Sequence, residues 1–278
     1  AVLLLSGITA SAQVFPLAEN TWQNPQFVDR FLGTYGMLTE VEPQISQEEA
    51  ELFQEIADLL GANQNQQAIS RLRQTITPES SAALDYTLGS LLLQAGQNRA
   101  AIRNYENAIR KFPNFLRAYK NMGLAYIQMG DFEPARKNLV KAIELGDQDG
   151  MTFGLLGYIY LNTNRPLSAL DAYRMAMVLM PNNEDWQVGR ATALSRTGKD
   201  AEALASFREL LAESPERSAF YVSAANAHLA MGEESEAARY LEIVRRMDTA
   251  KVPVLMLLGD VYVNQNMPSL ALGVYEDA

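Results

Sequence analysis

Alanine recurs at Ala101, Ala135, Ala169, Ala203, Ala237 and Ala271, six times at a spacing of 34 residues without a slip. Twelve residues before each stands a small residue, Gly89, Gly123, Gly157, Ala191, Ala225 or Gly259. Four residues after each comes a large apolar one: Tyr105, Leu139, Tyr173, Phe207, Leu241 and Tyr275. A self-similarity of this period fixes the architecture before composition is considered. Each unit is one supersecondary element that buries its apolar face only by stacking on its neighbours.

Within a unit the apolar residues fall at helical spacing in two stretches, such as Tyr119, Met122 and Tyr126, then Ala135, Leu139 and Ala142. Between the stretches sits Gly96, Gly130, Asn164, Gly198, Gly232 or Asn266, the two residue types that best tolerate the left-handed backbone of a helix C-terminus. Pro113, Pro181 and Pro215 share one phase and punctuate the unit ends, because proline cannot continue a helix. Small residues facing small residues, as Gly157 and Ala169 are expected to do, let paired helices approach closely. A leucine in place of Ala169 is expected to overpack that contact, costing about 1–3 kcal/mol.

The pattern resembles the tetratricopeptide repeat, whose signature runs W-x2-L-G-x2-Y, then A-x3-F, then P. Phe153, Leu156, Gly157, Tyr160, Ala169, Tyr173, Ala176 and Pro181 match it in one unit; Tyr119, Met122, Gly123, Tyr126, Ala135, Leu139 and Ala142 match in the unit before, with Asp147 where proline would stand. The resemblance covers residues 82–278 and implies an all-α, right-handed α-solenoid of stacked helix-turn-helix repeats, about six of them with the last truncated. Residues 48–81 read as a degenerate extra pair, since Ala68 and Leu72 lie 33 residues before Ala101 and Tyr105.

The N-terminal third is different. Residues 1–12 hold a short apolar run ending in Ala10-Ser11-Ala12, the shape of a signal-peptide remnant, and imply export to a bacterial periplasm or beyond. The run falls short of the about 20 apolar residues a membrane span needs, so no integral span is expected. In segment 13–47, Asn24-Pro25 starts a short capping helix carrying Phe27, Val28, Phe31 and Leu32. Ser46 with Glu49 makes a capping box ahead of Leu52, Phe53, Ile56 and Leu60. At the other end Ala278 falls at the mid-helix phase of Ala108, so an apolar C-terminal face available for self-association is expected.

Chemistry is sparse. One histidine and no cysteine leave no thiolate metal site, Fe–S cluster or thiol nucleophile. His228 occupies the packed phase of Tyr126, Tyr160 and Tyr262 and reads as a core residue with a backbone or water partner. Phosphate-loop, Gly-x-Ser-x-Gly and EF-hand patterns are absent, and no enzyme activity, cofactor, metal or small-molecule substrate is expected. The net charge is −10, with three basic and ten acidic side chains in residues 1–81, which disfavours nucleic acid. Arg110, Lys111, Arg117 and Lys120 are interleaved with carboxylates and read as a solvated helix face.

Function is therefore expected on the surface. The resemblance implies that the first helix of each repeat lines a concave groove for a protein or peptide partner. It places there Tyr86 and Ser90; Lys120, Asn121 and Leu124; Gly154 and Tyr158; Val188 and Thr192; Val222 and Asn226; and Met256 and Asp260. Asn121 matches a family position that holds peptide backbone. The clamp of chaperone-binding members is not matched, because Met151 and Leu155 follow in the next unit. Two roles stay open: a free-standing scaffold, or the regulatory or substrate-presenting arm of a larger enzyme or of a polysaccharide- or envelope-assembly machine.

Overall fold

Left-handed backbone appears where the repeat demands it. In the computed structural model, which describes residues 40–247 and 250–278, φ is positive at all six expected turn positions, from 56° at Asn164 to 78° at Gly130. Asn63 joins them at 58°, displaced by the same one-residue slip as Ala68. The signal-like residues 1–12 and the capping helix expected after Asn24 lie outside the described residues.

Each turn joins an A helix to a B helix. The pairs are α1 (Gln47–Gly61) with α2 (Asn65–Thr75), α3 (Ala82–Gln94) with α4 (Asn98–Lys111), and α5 (Leu116–Gln128) with α6 (Phe132–Glu144). Then come α7 (Gly150–Asn162) with α8 (Pro166–Leu179), α9 (Glu184–Arg196) with α10 (Asp200–Glu213), α11 (Ser218–Ala230) with α12 (Glu234–Arg246), and α13 (Val252–Asn264) with α14 (Pro268–Asp277). No strand occurs among the described residues. The chain is an all-α solenoid of helical repeats. It divides into two compact units, one closing at Asp147 and the other opening at Gln148.

In both units an A helix packs on its own B helix, and the B helix hands on to the next A helix. A helices also touch directly, α3 on α5 and α7 on α9. The capping box forms as the sequence predicts: Glu49 N–H donates to Ser46 Oγ at 3.2 Å, and Ser46 N–H to Glu49 Oε2 at 2.9 Å. Leu52, Phe53, Ile56 and Leu60 are all buried below it.

The six repeated alanines are buried, five of them completely. The small residues do approach the repeated alanines, a Cβ on Gly89 falling 3.2 Å from Ala101 O and one on Gly123 3.3 Å from Ala135 O, but the tightest contact is with the large residue beyond. A Cβ on Gly157 would fall 2.8 Å from the Tyr173 ring, and one on Gly89 would meet the Tyr105 ring at the same 2.8 Å. The conserved phase thus pairs a bare A-helix backbone with the large residue one turn beyond each alanine. The alanines bring the backbones together, and the ring fills the space.

Candidate functional site

The A helices of the first unit carry a buried polar network. Asn121 Nδ2 on α5 donates to the Tyr86 hydroxyl at 3.0 Å and to Ser90 Oγ at 3.3 Å on α3. The Tyr105 hydroxyl on α4 donates to the same Ser90 Oγ at 3.3 Å. Tyr86 and Ser90 are only 5% and 4% exposed, so they are core residues rather than groove lining. Burial raises the pKa of both tyrosine hydroxyls, which keeps them protonated and able to donate. Of the expected groove residues here, Tyr86, Ser90 and Asn121 form one network, while Lys120, Asn121 and Leu124 are half-buried.

The solvated basic face is corrected by three ion pairs. Lys111 Nζ lies 2.6 Å from Asp85 Oδ2, whose side chain is 2% exposed, and donates to Thr77 O and Ser80 Oγ as well. Arg117 donates through Nε and Nη2 to both oxygens of Glu42, at 2.7 and 2.5 Å. Lys120 Nζ is 3.6 Å from Asp147. Desolvating a carboxylate costs several kcal/mol unless a partner compensates, which is why a nearly buried Asp85 or Glu42 draws a cation to it. Arg110 alone of the four remains exposed. An acidic residue inside the apolar run Ala82–Leu93 was the signal that such a partner would be needed. Glu42 had no signal, because its partner is 75 residues away.

The second unit presents its A helices differently. Tyr158 on α7, Val188 and Thr192 on α9, and Asn226 on α11 are half-buried, and Met256 and Asp260 on α13 are exposed. The Tyr275 hydroxyl donates to Asp260 at 2.7 Å, and Thr192 Oγ1 turns back to the Val188 carbonyl. Val222 is buried and leaves the row. Gly154 also leaves it: a Cβ there would lie 2.4 Å from Trp186, whose indole fills that space at 2% exposure. Trp186 shares its phase with the buried Leu84, Ala118, Thr152, Phe220 and Val254, a 34-residue signal that could have marked it as core.

His228 is 2% exposed, as a core residue should be, but its partner is a carboxylate. Its Nδ1 is 2.6 Å from Glu233 Oε2, across the turn from α11 to α12, with the Tyr240 ring centroid 5.3 Å from its own. On α13, α14 and the turn between them, Val263, Met267, Leu270 and Leu272 are between 43% and 60% exposed. Among the described residues no cluster of metal-ligating side chains occurs, and no helix is long and apolar enough to cross a membrane.

Family models for the tetratricopeptide repeat match residues 92–150, and 155–218 with 188–246. No curated protein matches the sequence. Among solved structures, a tetratricopeptide repeat protein from Parabacteroides merdae is 18% identical, with a TM-score of 0.60 over 84% of this chain and 92% of its own. YrrB, described as having an unusual peptide-binding site, is 19% identical over 68% and 96%, with a TM-score of 0.61. Pseudomonas aeruginosa PilF is 18% identical over 76% and 96%, with a TM-score of 0.59.

Proposed function

We propose that this chain, which belongs to the tetratricopeptide repeat family of protein-interaction scaffolds, binds an extended peptide segment of a protein partner along the A helices of its second unit. The observation that carries this reading is the row Tyr158, Val188, Thr192, Asn226 and Met256. It runs over four successive A helices and stays partly open to solvent, while Tyr158, Thr192 and Asn226 have buried neighbours on both sides and Val188 and Met256 on one. A tyrosine, a valine and a methionine supply contact area, and Thr192 and Asn226 add hydrogen-bonding groups for peptide backbone. The likeness to YrrB supports the reading by analogy of architecture.

The scaffold is non-catalytic in this reading. Its action outside the cytoplasm is proposed from the apolar run ending in Ala10-Ser11-Ala12, and cell fractionation tests it. Self-association through Val263, Met267, Leu270 and Leu272 is a further part of the proposal, tested by sedimentation of the chain against a Leu270→Glu variant.

The binding role is tested by panning a random-peptide library on the wild-type chain and measuring the selected peptides against Tyr158→Ala. Selected peptides should lose about tenfold in affinity, one anchor residue's worth. Peptides that bind both chains equally would place recognition elsewhere.

A further inference from the structure

The Arg117 site is assembled without the residue that fills it. The guanidinium lies 5.1 Å above the Tyr86 ring and 5.8 Å from the Phe115 ring, whose centroids are 4.9 Å apart. The Tyr86 hydroxyl is fixed in turn by Asn121. All of these groups belong to α3, α5 and the residue that caps α5. They form a planar, bidentate carboxylate seat on an aromatic shelf, the geometry at which arginine recognises acids best. Arg117 keeps about a fifth of its side chain open, 21%, beside a Glu42 carboxylate that is 7% exposed.

The occupant comes from outside the helices. Glu42 precedes α1, with Pro43 buried after it and Ile45 packed on the core of the first unit. The stretch Val41-Glu42-Pro43-Gln44-Ile45 is therefore laid down as a non-helical segment with an acidic, a proline and an aliphatic anchor. Burial raises the Glu42 carboxyl above the usual carboxylate range, against the lowering effect of the Arg117 hydrogen bonds. Glu42 reaches this seat from a non-helical segment outside the repeat register, so vacating the seat disrupts no helix of the array.

We propose that Glu42 is a built-in competitor: it occupies in cis a carboxylate seat, Arg117 on the Tyr86–Phe115 shelf, that accepts the Glu-Pro portion of an extended acidic segment from a partner. The cis segment holds an effective concentration of the order of millimolar, so a partner engages the seat only when it outbids that tether. The proposal deepens the peptide-scaffold reading and rests on it, extending binding to the first unit and giving it a threshold.

The test uses the full chain and a fluorescein-labelled peptide of residues 38–46. The Glu42→Ala chain, checked for native helicity by circular dichroism, should bind the peptide at least about tenfold more tightly than wild type. Adding Arg117→Met to Glu42→Ala should remove that binding, and so should a glutamine at position 42 of the peptide. Glu42→Gln, which removes the charge and leaves the side chain in place, provides a second weakened competitor in case Glu42→Ala folds poorly. Equal binding by wild type and both Glu42 variants, no binding by a folded variant up to millimolar peptide, or indifference to Arg117 would each overturn the proposal. If library peptides still depend on Tyr158 in that event, the scaffold reading stands and only the competitor falls.

Discussion

The two units are built from the same repeat yet spend their A-helix polar groups differently. In the first, Asn121, Ser90, Tyr86, Arg117 and Lys120 are engaged with one another or with the nearly buried carboxylates of Glu42 and Asp147, and Asp85 on α3 pairs with Lys111 from α4. In the second, the equivalent row holds a half-exposed tyrosine, two half-buried residues on α9, a half-buried asparagine and an exposed methionine. One periodic packing rule thus supports a closed polar face and an open mixed one. The rule acts on the A–B contacts, Gly89 under Tyr105 and Gly157 under Tyr173, and leaves the other A-helix face free to diverge.

The sharpest way to break this contrast is to remove a cation from the first unit. Lys111→Met leaves Asp85 buried without its counter-charge and should cost about 3 kcal/mol, read as an earlier urea transition of the first unit. A loss below about 1 kcal/mol would mean that the pair is solvated. Next comes the packing of the second unit. Gly154→Ala drives a methyl to 2.4 Å from Trp186 and should cost about 2 kcal/mol, with a shift in tryptophan emission as the indole moves.

A matched pair of asparagines compares the faces directly. Asn121→Ala removes hydrogen bonds to Tyr86 and Ser90 and should cost about 1–2 kcal/mol. Asn226→Ala, on the open face, should stay within about 0.5 kcal/mol. Similar costs would erase the distinction between a structural and an available asparagine.

The smallest effect is one of pH. Because the folded pKa of Glu42 is raised, the folded chain binds more protons than the unfolded one between the unfolded and folded pKa values. The Glu42 contribution is fully present below the unfolded pKa and declines as pH rises through the folded one. The stability difference, wild type minus Glu42→Gln, should therefore fall as pH rises from acid to neutral in thermal melts. A difference that rises with pH would mean that Arg117 outweighs burial.

Most of the fold could be read from the residues because the 34-residue register couples every unit to the same turn and packing positions. Gly96, Gly130, Asn164, Gly198, Gly232 and Asn266 behave as the register demands. The face of each A helix was harder. Phase places Tyr86, Ser90 and Val222 with Tyr158 and Val188, but how deeply each sinks depends on neighbours that phase does not encode. Asn121 fills the space over Tyr86 and Ser90, and Phe115 closes it further. The Glu42–Arg117 pair was invisible because it joins the repeat array to residues outside the register. His228 was placed correctly in the core, whereas Glu233 as its partner depends on turn geometry.

The most direct test of the account is hydrogen exchange on the wild-type chain with and without a library-selected peptide, repeated on Glu42→Ala. The account predicts new protection in α7, α9 and α11 for wild type, with α5 joining them only when Glu42 is gone. Protection confined to the B helices α8, α10 and α12 would contradict it.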